Sequence, residues 1–439
     1  MQAIQIRIKT LLRRWHGTDW RIALFVLLAT LLALNASISR TPLFEGDGED
    51  YFFMSQALLV RGQPALRGED VMAVIRARRF IGETSDTFGP WSKETLASMI
   101  DSSNDSFGFF RARDGAMYTY HYWLYSLFNV PALAAANVFG FAPTRTFLLT
   151  NSLLVLLSSF IVLFKARMET WARISVFLMF LLCGTTFYLN YPGPEVFTAS
   201  FVLIGLALFG STRPLLAALA FATAAQQNPP VGLLAVATLA FWAWQCLTRL
   251  RKHRTTRWQL ARELLGSVGV LAFLVQSPLF FQFNFGVPNL IAAKGWAAPE
   301  LVSYNRLLSY YFDLDQGLIR GAPFLLAGMF AAFLLALRRP TINIRPLALG
   351  LILITAGIAM AIPTLATTTW VTVSRVYMRY AYWGTIPFWF ALVYFLENAS
   401  VRQRFWVLGL AILLQVIWVI GVYRVEGISV NWREHSWLA

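Results

Sequence analysis

Charged residues and cysteines are scarce in this sequence. Charged side chains make up 13% of the 439 residues, whereas soluble globular domains carry roughly 25%. Two cysteines exclude a disulfide-stabilised scaffold, and the lack of a CxxC or Cys/His cluster excludes the usual zinc sites. Both Cys183 and Cys246 lie in apolar runs, which predicts packing roles. GxGxxG, P-loop and serine nucleophile-elbow patterns are absent too, so no nucleotide-binding or α/β-hydrolase chemistry is indicated.

Long apolar runs dominate what is present, since 57% of the residues are hydrophobic. A helix needs roughly 17 to 25 apolar residues to cross a bilayer. About eleven stretches approach that length. We therefore predict an all-α polytopic membrane protein, a single transmembrane domain over residues 1–439, with some spans short or broken by proline. The stretches are 22–38, 144–164, 174–191, 196–210, 214–228, 230–248, 264–284, 318–337, 345–363, 384–397 and 405–423.

The basic residues predict the orientation of the chain. The net charge of +15 would suit nucleic acid, but its clusters lie between apolar runs, so we expect a lipid bilayer and no nucleic acid as partner. Every second short loop is basic, as the positive-inside rule requires. These segments are 7–14, 165–173, 213, 249–262, 338–339 and 402–404. The pattern predicts a multi-pass membrane protein with a cytoplasmic N terminus. We expect its location to be the bacterial inner membrane.

Acidic residues concentrate in one predicted external loop, residues 39–143. Twelve of the 22 Asp and Glu residues lie between positions 40 and 120. A loop of that length usually has structure of its own and a function. We therefore expect the chemistry on the extracytoplasmic face.

The loop opens with EGDGEDYFFMSQALLVRGQP, residues 45–64. Apolar spacing from Gly48 onward predicts a helix along the membrane surface. Asp47 then falls at the helix start, where free backbone N–H groups stabilise a carboxylate. Asp47 is either a helix cap alone or a functional acid. Because Glu45, Glu49 and Asp50 crowd the same turn, the acids need a cation, a substrate or water to face.

The rest of the loop has a mixed character. The mixed composition of residues 61–114 predicts irregular structure with short helices, which would cap a cavity. Residues 118–141 are apolar but interrupted by Asn129 and Pro131, which predicts a surface-lying or re-entrant helix. His121, at the start of this stretch, is either a proton carrier or a structural contact beside aromatic residues.

Further charged residues lie at the predicted external ends of later spans. Glu195, in NYPGPEVF, is either an exposed loop acid or part of the same site as Asp47. Arg375 and Arg379 are four residues apart and share one face of a helix, which suits a phosphate between them, although interfacial snorkelling explains each singly. The DxD of Asp313 and Asp315 predicts a turn before a helix. The other basic candidates on this face are Lys294, Arg306 and Arg320.

The arrangement resembles the GT-C superfamily of membrane glycosyltransferases, which includes the lipid A aminoarabinose transferases and the polyprenyl-phosphate mannosyltransferases. Asp47, four residues before Tyr51, is similar to the D-E/D-x-x-Y loop motif of that family. GLIRGAPFLLAG and RYAYWGTIPFWF are similar to its distal loops. The sequence departs from the family pattern in two places. Gly48 occupies the second acid position, so the role of that acid passes to Glu49 or Asp50 or is absent. YHYW around His121 replaces a Lys-Pro-Pro found in some members.

The resemblance implies a GT-C-type bundle of about 11 helices and an inverting transfer. A polyprenyl-phosphate sugar would be the donor, and a hydroxyl of a glycan, glycolipid or protein the acceptor. Asp47 would be the catalytic base, with no cofactor required, although a divalent cation held by Asp47 and Glu195 is possible. The substrate-binding residues implied are Glu49, Asp50, Tyr51, His121, Glu195, Lys294, Arg320, Arg375 and Arg379.

Two other functions fit a polytopic membrane protein. A transporter or flippase of lipid-linked sugars needs charged or broken helices at the midplane, and the polar candidates Gln226, Gln227 and Asn228 are uncharged. A non-catalytic assembly subunit would use the acidic loop as a docking surface. We expect the glycosyltransferase, because the acidic loop opening faces several cations on the same side.

Overall fold

A computed structural model describes residues 2–38, 47–80, 87–88, 91–101, 108–252, 256–338, 343–368, 370 and 376–425. Glu45 and Arg375, two residues of the predicted site region, lie outside these ranges. The helices are α1 (Gln2–Ile38), α2 (Asp47–Arg61), α3 (Gly68–Phe80), α4 (Lys93–Asp101), α5 (Leu124–Phe139), α6 (Thr146–Phe160), α7 (Thr170–Phe180), α8 (Thr186–Tyr188), α9 (Glu195–Gly210), α10 (Pro214–Ala225), α11 (Gly232–Arg251), α12 (Arg257–Leu274), α13 (Gln276–Phe285), α14 (Leu290–Ala293), α15 (Tyr304–Phe312), α16 (Leu318–Gly321), α17 (Pro323–Leu337), α18 (Ile344–Thr364), α19 (Arg379–Gly384), α20 (Ile386–Glu397) and α21 (Val401–Val425).

Four short strands form two hairpins in the loop. Strand β1 (Thr87–Phe88) pairs antiparallel with β2 (Trp91–Ser92), and β3 (Phe109–Arg111) pairs antiparallel with β4 (Met117–Thr119). The helical character of the protein is therefore as predicted, while the hairpins were not predicted. Each strand has only two or three residues, too few for a period-two pattern to be recognised in the sequence.

Six helices within the described ranges are long and apolar enough to cross a membrane. They are Trp20–Ile38, Pro143–Lys165, Thr170–Tyr188, Pro229–Arg251, Ile344–Thr364 and Val401–Val422. The pair Trp258–Leu274 and Gln276–Phe285, bent by 45°, makes a seventh if it counts as one span. All seven coincide with predicted stretches, so the chain is an α-helical, multi-pass membrane protein in character.

The predicted count of about eleven is not confirmed. The other four predicted stretches fall on α9, α10, α17 and α20, which have 16, 12, 15 and 12 residues. Helices of that length rise roughly 18 to 24 Å at about 1.5 Å per residue, less than the roughly 30 Å of a hydrocarbon core. Pro194, Ala322 and Thr385 immediately precede the first residues of α9, α17 and α20, and Asn228 lies in the break between α10 and α11.

The short helices form the centre of the bundle. α9 packs against α10 and α6, and α20 packs against α17 and α18. Small residues allow the close approach: a Cβ on Gly205 would lie 2.4 Å from the ring of Phe221, and one on Gly350 would lie 2.3 Å from Phe395. Glycine at helix contacts is typical of membrane bundles, where dispersion and shape fit drive association.

The loop residues form a second apolar cluster of their own. α2 packs on α5 and α3, and α3 packs on α4. Aromatic rings connect these elements. The ring centroids of Phe53 and Phe109 are 6.0 Å apart, and those of Tyr51 and Tyr125 are 5.2 Å apart. Met54 beside them is also buried. The apolar breadth of α2, which predicted a surface-lying helix, is instead explained by burial beneath α5 and the β3–β4 hairpin.

A buried ion pair fastens α2 to α3. Arg61 Nη2 lies 2.5 Å from Asp70 Oδ2, and Arg61 Nη1 lies 2.7 Å from Glu69 Oε1. The Asp70 side chain is 2% exposed and that of Glu69 is 59% exposed. Asp70 also accepts a hydrogen bond from the backbone N–H of Arg67. The pair holds the start of α3 against the end of the helix that begins at Asp47.

We predict that Asp70→Asn lowers the free energy of unfolding by about 3 kcal/mol, because it leaves the Arg61 charge without its buried partner. Glu69→Gln is the matched control, and its exposed pair contributes less than about 1 kcal/mol. Thermal unfolding of the detergent-solubilised variants measures both. Equal losses in the two variants would contradict the assignment of Asp70 as the fastening residue.

Candidate functional site

The site begins at the first residue of α2. Asp47 lies in the first helical turn, as the sequence predicted, where unpaired backbone N–H groups favour a carboxylate. Gly48 packs against Pro192, and a Cβ on Gly48 would lie 2.4 Å from the proline Cγ. An acid at position 48 would therefore not fit. The first turn of α2 is thus held against the loop that precedes α9.

The segment after β4 brings two aromatic side chains to Asp47. The Tyr120 hydroxyl donates to Asp47 Oδ1 over 3.1 Å. His121 Nε2 lies 3.6 Å from Asp47 Oδ1 and 3.8 Å from Asp50 Oδ2. The imidazole stacks on the ring of Tyr51, with centroids 4.8 Å apart. Of the two predicted site residues, His121 therefore lies beside both carboxyl groups, and Tyr51 packs on the imidazole.

Arg379 approaches the same carboxylate from α19. Its Nη1 lies 2.6 Å from Asp47 Oδ2 and 3.8 Å from Glu195 Oε1, and its Nη2 donates to the Tyr380 hydroxyl over 3.1 Å. Arg379 is 8% exposed. Its buried Nε has no hydrogen-bond partner within the described part of the chain. The guanidinium thus stands between the Asp47 and Glu195 carboxylates and keeps one donor uncommitted.

The segment before Arg379 is anchored to the break after α7. The Tyr377 hydroxyl donates to the Cys183 carbonyl, and the Tyr188 hydroxyl donates to the Tyr377 carbonyl. Gly184 makes this approach possible, because its φ is 152° and a Cβ there would lie 2.4 Å from the Tyr377 hydroxyl oxygen. Residues Leu181–Thr185 contain a kink between α7 and α8, with non-helical backbone dihedrals at Cys183 and Gly184.

Contacts from a second side complete the anchoring. The Met378 N–H donates to the Gln316 carbonyl over 2.8 Å, and the Tyr310 hydroxyl donates to the Tyr380 carbonyl over 2.7 Å. Val376 has a φ of 64°, which is costly for a β-branched residue and persists only where the surroundings fix it. The Arg379 guanidinium is consequently placed by the fold.

The two aspartates of the site have opposite electrostatics. Burial alone would raise the pKa of Asp47, but the Arg379 guanidinium and the His121 ring lower it to well below its usual range. Burial raises the pKa of Asp50 well above 3.8, and the charge of Asp47 raises it further. Burial also raises the pKa of Tyr120. Asp47 is therefore the more acidic of the two carboxyl groups, because Arg379 and His121 face it.

The structure brings together Asp47, Asp50, Tyr51, His121, Glu195 and Arg379. Glu195 is 2% exposed, so the interpretation of it as an exposed loop acid is wrong. Glu49 follows Asp47 on α2 and is partly buried.

The other predicted cations are held by different contacts. Lys294 Nζ lies 4.4 Å from the ring centre of Phe110. The Arg320 guanidinium donates to the Asp315 carbonyl. Asp313 Oδ1 accepts from the backbone N–H groups of Asp315 and Gln316, so the DxD is a turn before α16, as predicted.

Several site residues were missed from the sequence. Tyr120 and Tyr380 each neighbour a predicted residue, but nothing in the pattern singled them out from the other tyrosines. Trp296 packs 5.1 Å from Tyr120 and 5.8 Å from Phe110, which connects Lys294 to the cluster through rings. The sequence pointed to Tyr120, Tyr380 and Trp296 only through the predicted residues nearby, which are His121, Arg379 and Lys294.

The uncharged polar residues Gln226, Gln227 and Asn228 make hydrogen bonds within the protein. Gln227 accepts from the Tyr51 hydroxyl over 3.3 Å and donates to the Tyr122 carbonyl. Asn228 Nδ2 donates to Thr198 over 2.6 Å, and Gln226 Nε2 donates to the Phe273 carbonyl. These bonds connect the loop and the helix breaks to the bundle. In the ranges that the structure covers, no three His, Cys, Asp or Glu side chains form a metal-binding group.

We predict that Asp50→Asn stabilises the protein increasingly as the pH rises above 4. The pKa of Asp50 is raised in the folded state, so its stabilising contribution is full below its unfolded value of 3.8 and is lost as the pH rises towards the folded value. The difference from the unsubstituted protein should grow by at most about 1.4 kcal/mol per pH unit. Thermal unfolding between pH 4 and pH 9 measures it. A constant difference would show that Asp50 does not hold a proton.

No family model, curated protein or solved structure matches this chain. The resemblance of Asp47 and Tyr51 to the GT-C loop motif therefore stays a prediction from the sequence. The α-helical membrane fold and the clustering of six predicted residues around one buried ion pair are features of the structure itself.

Proposed function

We propose that this protein is an inverting membrane glycosyltransferase of the GT-C type. It would transfer a sugar from a polyprenyl-phosphate donor to an acceptor hydroxyl on a glycan, glycolipid or protein. The proposal places the site on the extracytoplasmic face of the bacterial inner membrane. The observation that carries it is Asp47, a charged and largely buried carboxylate at a helix start, surrounded by aromatic side chains and beside an uncommitted guanidinium donor.

Asp47 would act as the general base. The acceptor oxygen forms a bond to the anomeric carbon, and the bond from that carbon to the phosphate oxygen breaks. The hydroxyl proton passes to Asp47, and the phosphate leaves with the electron pair. Because a hydroxyl has a pKa far above neutral, a positioned carboxylate is needed as its proton is lost. Tyr120 and Arg379 hold one oxygen of Asp47 each, which fixes its orientation.

Arg379 would couple donor binding to the strength of that base. Its pairing with Asp47 keeps the carboxylate charged but lowers its basicity. A donor phosphate that engages Arg379 Nε draws positive charge away from Asp47, so the carboxylate becomes a stronger base when the donor is bound. Fixed cations also stabilise the charge that develops on the leaving phosphate. Lys294, Arg320 and Arg375 are the further phosphate contacts that the family resemblance suggests.

The aromatic residues would hold the sugar. Tyr51, Tyr120, Tyr380 and Trp296 surround the ion pair, and a mixture of ring faces with a few placed polar groups is typical of small-ligand sites. Both substrates would meet at one fixed position, which supplies part of the rate enhancement. The chemistry described uses Asp47 and Arg379, and requires no cofactor.

We predict that Asp47→Asn and Asp47→Ala lower sugar transfer by about 10²- to 10⁴-fold, the effect of losing a general base. Mass spectrometry of cell-envelope lipids and glycans from a deletion strain, complemented with each variant, measures the product. Asp114→Asn is the matched control, an exposed acid of the same loop, and should restore it. Full restoration by Asp47→Ala, with the protein expressed, would overturn the assignment.

We predict that, in Arg379→Gln, the transfer rate begins to fall at a higher pH as the solution is acidified. Without the guanidinium, burial raises the pKa of Asp47, so the base is protonated and lost as the pH falls. Arg379→Lys keeps a cation beside Asp47. It should slow transfer, but shift the pH at which the rate falls by less than Arg379→Gln does. Rates with purified donor between pH 5 and pH 9 test both. If the rate falls at the same pH in both variants as in the unsubstituted protein, Arg379 does not set the pKa of Asp47.

A further inference from the structure

A cavity lies near the opposite end of α9 from the candidate site. Glu195 is the first residue of α9, and the cavity begins at Thr212, two residues after its end at Gly210. It has a volume of about 640 Å³, which is within the range of ligand-binding pockets. The start of α10, the end of α11 and Glu263 of α12 form its walls. Nothing in the proposed reaction uses this cavity.

Both polar and apolar side chains line the cavity. Arg213 is exposed, and Gln245 and Thr248 line the same cavity. Its apolar lining includes Leu216 and Trp244, which are 50% and 61% exposed. α11 belongs to a candidate membrane span, and Trp and Arg at the end of a span are typical of the membrane–water interface. The cavity is thus at the end of a candidate span, where lipid head groups are expected.

The charge around the cavity favours an anion. Glu263 is the only acid in the sequence between Glu195 and Glu300, whereas residues 213–262 contain seven Lys and Arg residues. Glu263 is also neutralised, since Arg249 Nη1 and Nη2 lie 3.0 and 2.6 Å from its two carboxylate oxygens. Cys246 donates to the same carboxylate over 3.2 Å. Among the described lining residues, Arg213 is thus the cation that this acid does not neutralise.

We propose that this cavity binds the head group of an anionic phospholipid with a single phosphate. The phosphate would lie at Arg213 and the acyl chains along Leu216 and Trp244. Basic pockets between transmembrane helices recognise anionic lipids in this way. The lining favours a lipid over a soluble phosphate, because the exposed apolar side chains of Leu216 and Trp244 line the same cavity as Arg213.

The test is native mass spectrometry of the full-length protein titrated with phosphatidylglycerol or phosphatidylcholine. We expect at least one phosphatidylglycerol to be retained in preference to phosphatidylcholine. Arg213→Gln should weaken that binding about fivefold, and Arg213→Glu roughly thirtyfold, because each basic residue near an anionic surface contributes about 1 kcal/mol. Arg213 is exposed, so neither variant removes a packing contact from the core.

Arg402→Gln is the matched control, because it removes one exposed basic residue from another segment. Binding within twofold of the unsubstituted protein is expected for it. An equal loss in Arg402→Gln would show diffuse attraction and overturn the proposal. Equal retention of phosphatidylcholine, or full competition by millimolar glycerol 3-phosphate, would likewise overturn a lipid site at Arg213. None of these results depends on sugar transfer.

Discussion

The buried pair of Asp47 and Arg379 is the interaction around which the rest of the structure is arranged. It joins residues 332 positions apart, over 2.6 Å, at a place where both side chains are largely buried. Removal of either partner from such a pair leaves an uncompensated charge. The loop cluster, the glycine at position 48 and the hydrogen bonds at Tyr377 and Tyr380 all hold one or the other partner in place.

The same pair separates the roles of neighbouring acids. A guanidinium that faces Asp47 lowers the pKa of that carboxyl group, whereas burial and the charge of Asp47 raise the pKa of Asp50, one helical turn later. Two acids of one helical turn thus differ through their neighbours. Glu195, buried on the far side of Arg379, gives the guanidinium a second anionic neighbour.

Much of the fold was predictable because hydrophobic length and helix-start chemistry are local. The six long spans, the start of α2 at Asp47 and the turn at Asp313 all depend on residues close together in sequence. The number of crossings was not predictable in the same way, because composition shows apolar length but not that α9 starts only after Pro194 or α20 only after Thr385. The burial of α2 depended on α5 and a hairpin, whose three-residue strands leave no periodic signal.

The sequence by itself determined that this protein is helical and membrane-embedded, and that its acids gather in one loop opening at Asp47. Those properties follow from composition and from spacing within a few helical turns. Only the tertiary structure decided that Arg379 rather than another cation meets Asp47, that Tyr120 donates to it, and that Glu195 is buried. Such partners are chosen by packing between distant helices, and a single sequence carries no local trace of that choice.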